Sequence, residues 1–348
     1  MEIIEIIRKA SAGKNLTTDE AAYAMECMMA GSTSAKQMGG QEAQPPGSFT
    51  PAQAAGLLIA LKMKGETVEE ITEFARVMRR NAVNISPNVD GLVDTCGTGG
   101  DSSHTFNVST TAALIAAGAG VPIAKHGNRS VSGKCGSADV LEQLGVKMLQ
   151  PKQAKECIEK VGFGFMFAPY FHPAMKNVMP VRKELGVRTV FNILGPLTNP
   201  AGAKRQVLGV FDASLAEKMA KVLLMLGAEH ALVVHSSGID EIGLGKTEVH
   251  EVKDGKIRRA DIDASTLGFE KLSIPTVQTK EESAAIVLEV LSGKEGAARD
   301  AAVLNAAAAI YVGGKAKDIA DGVGVAKKAI DSGAAMGKLE QLKGFTGE

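Results

Sequence analysis

Four helical stripes open the chain, each set off by its own polar signal. Ile3, Ile4, Ile6 and Ile7 recur at helical spacing across residues 2–10. Thr17-Thr18-Asp19-Glu20 spells a capping box, in which threonine accepts a backbone N–H three residues on and glutamate reaches back. It predicts a helix to about Met29. Thr50-Pro51-Ala52-Gln53 repeats the device with proline at the favoured first helical position, predicting a helix to about Met63. Thr67 with Glu70 starts a fourth, to about Asn81. Residues 1–85 thus read as all-helical and hold no catalytic cluster. Between the second and third helices, GSTSAKQMGGQEAQPPGSF is poor in apolar residues and reads as a mobile surface loop.

From Leu92 the pattern changes to short apolar runs alternating with helices, the signature of an α/β domain with a largely parallel sheet. Strands are predicted at Leu92–Thr95, Val121–Ala124, Gly164–Phe167, Gln206–Phe211 and Ala231–Ser236. Helices fall between them near 110–118, 138–145, 152–161 and 215–226, the last with Ser214 and Glu217 as its capping box. Pro173 to Leu185 reads as a helix that breaks the alternation, and Gly195 to Pro200 as an irregular turn. Residues 246–278 read as further strands, and 281–292, 296–311 and 316–332 as helices. The predicted fold is α/β with a small all-helical domain. Residues 1–87, joined by a helical segment near 170–200, form the small domain, and the rest of 88–348 forms a large domain whose mostly parallel central sheet is flanked by helices.

Composition narrows the partners. Lys plus Arg and Asp plus Glu number 39 each, so no net field favours nucleic acid or an anionic membrane, and any anion site must be local. The four cysteines, Cys27, Cys96, Cys135 and Cys157, lack metal-type spacing and read as reduced thiols of a cytoplasmic enzyme. The N-terminus is unlike a signal peptide, and no apolar run approaches the roughly 18 residues of a membrane span.

Candidate chemistry gathers between Asp94 and Asp139. There a strand breaks into Gly97-Thr98-Gly99-Gly100-Asp101, and Ser109 or Thr110 opens an Ala-rich helix. Backbone amides of such a turn, with the free N–H groups of the helix behind it, make an anion site. Lys125, His126, Asn128 and Arg129 then arrive on a second loop. Two glycine loops, one carrying cations, point to a ligand with more than one phosphate. Asp240-Glu241 follows a predicted strand end, where adjacent carboxylates suit Mg²⁺ shared with substrate phosphates. The dinucleotide fingerprint fails, because its third glycine falls on Ser102. Gly245-Lys246-Thr247 lacks the leading glycine of a P-loop, whose place is held by Asp240.

With these residues assembled, the chain resembles the anthranilate phosphoribosyltransferase family of the nucleoside-phosphorylase-like phosphoribosyltransferase class. The matching pieces are DTCGTGGD, TFNVSTTAA, KHGNRSVSG, FAPYFHPAMKNVMPVRKELGVRTVFNILGPLTNP, GIDEI and RDAAVLNAAAAIYV, in the family's order from about Phe49 to Gly313. The resemblance implies transfer of a phosphoribosyl group from 5-phosphoribosyl diphosphate (PRPP) to the amine of anthranilate, in tryptophan biosynthesis. It implies Mg²⁺, two ions per subunit, and a homodimer joined through the helical domains.

By motif, the resemblance assigns Gly97, Gly100, Asp101, Thr105, Asn107, Val108, Ser109 and Thr110 to the PRPP site. Lys125, His126, Gly127, Asn128, Arg129, Ser130, Val131, Ser132, Gly133 and Ser137 join them. Ser109, Asp240 and Glu241 fall on metal positions, and Gly97, Asn128 and Arg182 on anthranilate positions. Lys125, Asn128 and Arg182 are the expected catalytic groups through positioning and charge stabilisation, with His126 a further candidate. The chain departs from the family after Glu241, where Ile242-Gly243-Leu244-Gly245-Lys246 replaces the usual serine and Thr-Gly-Pro-like turn, and in the length of the 31–49 loop. Two rival readings are a pyrimidine nucleoside phosphorylase and a non-catalytic paralogue that binds phosphosugar or nucleic acid.

Overall fold

The computed structural model describes residues 2–31, 49–99, 103–130 and 135–347. The predicted mobile loop at 31–49 therefore lies almost wholly outside the described residues.

The chain begins with α1 (Ile3–Ser11), α2 (Thr18–Ala30), α3 (Pro51–Lys64) and α4 (Val68–Arg80). Three of the four predicted capping boxes form: Thr17 with Glu20, Thr50 with Gln53 and Thr67 with Glu70 each make both reciprocal bonds. There follow β1 (Val93–Gly97), α5 (Val108–Gly118), β2 (Ile123–Gly127), α6 (Ser137–Gln143), α7 (Pro151–Val161) and β3 (Phe163–Phe167). The short helices α8 (Ala168–Phe171), α9 (Met179–Leu185) and α10 (Phe191–Leu194) lead to β4 (Arg205–Gly209), α11 (Ala216–Met225) and β5 (His230–His235). The antiparallel strands β6 (Lys246–Lys253) and β7 (Lys256–Asp263) precede α12 (Lys280–Leu291), α13 (Ala297–Val312), α14 (Ile319–Asp331) and α15 (Ala334–Gly344).

These elements separate into two compact units, Met1–Val83 with Phe171–Thr198, and Asn84–Tyr170 with Asn199–Glu348. In the helical unit, the buried apolar stripes of α1, α2, α3 and α4 make the core, with Leu57, Leu58, Leu61, Ile71 and Phe74 fully enclosed. The second unit is built on one sheet of order β3-β2-β1-β4-β5-β6-β7, parallel through β5 and antiparallel beyond. Because β2 lies on one side of β1 and β4 on the other, the strand order reverses at β1 and β4, where open α/β sheets bind their ligands. Behind the sheet, small residues let helices approach closely: a Cβ on Gly118 would stand 2.7 Å from the backbone nitrogen of Ala335. Among the described residues no helix is long and apolar enough to cross a membrane.

Several sequence expectations need correction. Strand β2 continues to Gly127, so Lys125 and His126 belong to the sheet rather than to a loop. Pairing with β3, Lys125 opposite Phe165 and His126 opposite Met166, sustains it. The helix expected from Ser109 or Thr110 already begins at Val108. The Ser214 cap does not form; the Asp212 carboxylate instead accepts the Ser214 N–H at 2.9 Å and starts a single 3₁₀ turn before α11. Strand structure in 246–278 ends at Asp263, where that residue's side chain caps another 3₁₀ turn, leaving only an isolated bridge at Thr276. Pro173–Leu185 divides into a 3₁₀ turn over Pro173–Asn177 and then α9.

Candidate active site

The site is built at the carboxyl ends of the two strands where the sheet order reverses. Strands β1 and β4 stay in register to their last residues, placing Gly97 opposite Gly209. Asp240 leans across both. A Cβ on Gly97 would come 2.2 Å from Asp240 Oδ2, and one on Gly209 would come 1.5 Å from the Asp240 carbonyl oxygen. Only glycine fits either position. The turn that delivers Asp240 is tight: Ser236 and Ile239 bridge, with Ser237 and Gly238 both at positive φ.

Both carboxylates face backbone donors. Asp240 Oδ2 accepts the Gly99 N–H at 2.6 Å, and Glu241 Oε1 accepts the Ser109 N–H at 3.3 Å, in the first turn of α5. Helix-terminal N–H groups favour a carboxylate there. The departure after Glu241 leaves a well-held loop. Asn305 on α13 accepts the Ile242 N–H at 3.0 Å and donates to the Ile242 carbonyl at 2.8 Å. Ser236 Oγ accepts the Gly243 N–H at 2.9 Å and shares a hydrogen bond with Thr247 at 2.5 Å. Sequence reasoning missed Asn305. Its signal was a single amide inside the apolar run RDAAVLNAAAAIYV, since a buried polar side chain needs partners.

Lys125 is 2% exposed. Its ammonium donates to the Thr95 carbonyl, and lies 3.5 Å from Thr95 Oγ1 and 3.4 Å from Ser109 Oγ. Burial pushes its pKa down, while the carboxylates of Asp94, Glu241 and Asp240 and the thiol of Cys96 pull it back up. Asp94 is also buried, and its carboxyl is pushed up to about 6 by burial, against the opposing pull of Lys125 and of the bonds from Asn199 and His126. Ser109, Asp240 and Glu241 line one crevice with Thr95, Cys96, Gly209 and Asn305.

The other predicted residues fall as follows. Thr110 is fully buried on α5, and His126 is 8% exposed on β2. Val108 is buried, while Thr105 bridges Thr276. The Asn107 amide is tied to its neighbours, accepting the Ser283 hydroxyl at 2.7 Å and donating to the Cys135 carbonyl at 3.4 Å. Asn128 is exposed, and its carbonyl accepts the Ala138 N–H at 3.2 Å and the Ser137 hydroxyl at 3.3 Å. A Cβ on Gly127 would strike that Ser137 hydroxyl at 2.2 Å. Arg129 forks onto Glu142 at 2.5 and 2.7 Å and reaches Asp139 at 3.3 Å, while Asp139 also accepts the Ser130 N–H at 3.0 Å. Arg182 stands on α9 of the helical unit, its guanidinium 5.4 Å over the Phe191 ring. Burial lowers its pKa from a value so high that it stays charged. Gly100, Asp101, Val131, Ser132 and Gly133 lie outside the described residues.

The donors near Asp240 are hard oxygens: two carboxylates and the Ser109 hydroxyl. Among the described residues no group of three or more His, Cys, Asp or Glu side chains could hold a metal by itself. Such a partial oxygen set fits Mg²⁺, which keeps waters and completes its shell with substrate phosphates, and does not fit a closed structural site.

Comparison with known proteins agrees with this layout. The chain matches the glycosyl transferase family a/b domain over residues 89–336 and the helical bundle domain of the same family over residues 46–82. The class so defined is a glycosyl transferase of helical bundle and α/β domain. The chain is 51% identical over 346 residues to the anthranilate phosphoribosyltransferase of Pelotomaculum thermopropionicum, covering 98% of this chain and 96% of that one. It superposes on the solved enzyme of that name from Thermus thermophilus with a TM-score of 0.89 at 43% identity, covering 98% of each chain. The Saccharomyces cerevisiae enzyme, solved in complex with PRPP and Mg, gives 0.85 at 27% identity, covering 98% of this chain and 96% of that one. The chain belongs to the anthranilate phosphoribosyltransferase family.

Proposed function

We infer that this chain transfers the phosphoribosyl group of PRPP to the amine of anthranilate, giving N-(5-phosphoribosyl)anthranilate and diphosphate in tryptophan biosynthesis. The observation that carries this reading is the glycine-ended pair of strands at the sheet reversal, with Asp240 across them, in a chain alike end to end to enzymes of that activity. The proposed PRPP site takes Gly97, Thr105, Asn107 to Thr110, Lys125 to Ser130 and Ser137, with Gly100, Asp101 and Val131 to Gly133 by motif. Ser109, Asp240 and Glu241 would hold Mg²⁺, two ions per subunit, and the metal would neutralise charge on the departing diphosphate.

The protein's own share of the chemistry is positioning and electrostatics. Loss of diphosphate leaves an oxocarbenium-like ribosyl carbon and a heavily charged leaving group, and preorganised dipoles stabilise such charge best. The first-turn N–H groups of α5 supply such dipoles. Lys125, behind Ser109, supplies positive charge from inside the sheet without leaving its hydrogen bonds. Anthranilate's amine is neutral at pH 7, so no strong base is required, and the remaining work is orientation. Arg182 offers its planar fork to the anthranilate carboxylate, and Gly97 and Asn128 take the amine end. The proposed assembly is a cytoplasmic homodimer joined through the helical unit, without nucleic-acid or membrane partners.

Protein, PRPP, Mg²⁺ and anthranilate together should quench anthranilate fluorescence, and omission of any one should abolish the change. Turnover of a pyrimidine nucleoside with inorganic phosphate, and none of anthranilate, would replace this reading with the phosphorylase one.

A further inference from the structure

The seam between β1 and β2 is unlike those on either side of it. β1 pairs with β4 through five residues, from Val93 opposite Arg205 to Gly97 opposite Gly209. β2 pairs with β3 through five, from Ile123 opposite Phe163 to Gly127 opposite Phe167. Between β1 and β2, among the described residues, the register consists of Val93 opposite Ile123 alone. Beyond that rung, among the described residues, no further ladder pair joins the two strands, and buried backbone groups there need other partners.

Side chains fill the gap. Asp94 Oδ1 accepts the His126 N–H at 3.2 Å, and Oδ2 accepts the Asn199 amide at 2.7 Å. The same Asn199 amide nitrogen donates to the Ala124 carbonyl at 2.8 Å, while its oxygen accepts the Ala201 N–H at 2.9 Å. From the opposite strand, the Lys125 ammonium takes the Thr95 carbonyl. Asp94 is 1% exposed and Asn199 5%, so these bonds are sheltered from water. A carboxylate suits this place because it accepts from two donors and offers none. An amide at position 94 would turn an NH₂ toward one of them, and an apolar residue would accept from neither.

We propose that Asp94 is a positioning residue for the transfer reaction: with Asn199 it holds the β1–β2 seam open at a set width. It thereby fixes the carboxyl end of β2, from which Lys125 and Asn128 serve the site. The proposal rests on the transferase reading above. Asp94 is neither a ligand contact nor a metal ligand, and its effect reaches the substrate through the backbone of β2.

The test compares Asp94→Asn with Leu339→Ala, a core change on α15, the helix that meets α5 near its carboxyl end at Gly118, at matched loss of melting temperature. Asp94→Asn should lower kcat by about 10–100-fold, the scale of a misplacement near 1 Å, with KM for PRPP and anthranilate little changed. Leu339→Ala should keep kcat per folded molecule. Amide exchange over residues 123–130 should quicken in Asp94→Asn and stay as in the parent chain in Leu339→Ala. An unchanged kcat, a loss no larger than that of Leu339→Ala, or unchanged exchange over 123–130 each overturns the proposal. If Asp94→Asn does not fold, Asn199→Ala is held to the same criteria. A parent chain with no turnover of PRPP and anthranilate brings down the transferase reading and this role with it; an active parent with an indifferent Asp94→Asn brings down this role alone.

Discussion

Each unit buries a lysine, and the two are held in opposite ways. In the helical unit the Lys64 side chain is 3% exposed and meets the Glu70 carboxylate at 2.7 Å, with the Gly65 carbonyl at 3.0 Å and Asn15 at 3.2 Å. Glu70 in turn accepts the backbone N–H groups of Leu16 at 2.7 Å and Thr67 at 2.8 Å. Every charge there is answered in place. In the α/β unit the Lys125 ammonium is bonded to the neutral oxygens of Thr95 and Ser109, while the carboxylates that favour its charge act from farther off. The first arrangement closes a helix junction. The second keeps positive charge in reserve beside the crevice that holds the acidic pair.

Breaking each pair should separate structure from function. Removing one partner of a buried ion pair leaves a charge stranded, so Glu70→Ala should cost about 3–5 kcal/mol in denaturant unfolding. Turnover per folded molecule should survive. Lys125→Met should do the reverse: kcat falls by about 10²–10³, near 3–4 kcal/mol of lost charge stabilisation, with a much smaller change in unfolding free energy. Were Lys125→Met to lose as much stability as Glu70→Ala, the contrast between the two lysines would collapse.

Acid sharpens the comparison, because one buried group in each unit, His172 and Asp94, responds with opposite sign. His172 in the helical unit has its pKa pushed down from 6.5 to about 4 by burial. Its contribution is present above 6.5 and lost as pH falls through about 4, a swing of about 3 kcal/mol. Asp94 runs the other way: the fold binds its proton more tightly than the open chain, so its contribution is full below 3.8 and lost as pH rises through about 6. Stability curves for the parent chain and His172→Gln should diverge between pH 6.5 and 4. Parallel curves would remove His172 from the account. The smallest expected effect concerns the one helical-unit residue proposed to touch substrate. Arg182→Ala should raise KM for anthranilate by about 10–100-fold, matching the roughly 1.5–3 kcal/mol of a charged hydrogen bond, and spare KM for PRPP. Equal loss for both substrates would leave Arg182 a structural residue stacked on Phe191.

What was legible in the chain was local. The three capping boxes act within four residues, so Thr17, Thr50 and Thr67 could be read directly. The glycine break after β1 and the pair Asp240-Glu241 announced themselves by residue type. Features that depend on distant partners were hidden. Lys125 and His126 looked like loop residues because nothing local shows that β3 continues beside them or that Thr95 awaits an ammonium. Ser214 reads as a cap by its spacing to Glu217, but its own backbone N–H is taken by Asp212, which starts the turn two residues earlier. Asp94 passed as the first letter of a glycine motif, since its partners His126 and Asn199 lie 32 and 105 residues away.

The last rung between β1 and β4 carries a consequence for how this chain can change over generations. Gly97 and Gly209 each abut Asp240 so closely that a single methyl group has nowhere to go. The neighbourhood therefore offers no stepwise route: even alanine must evict the carboxylate or part the strands. New substrate preferences would have to be sought among residues with room to vary, such as the exposed surface of α9, while this rung is held by its own geometry.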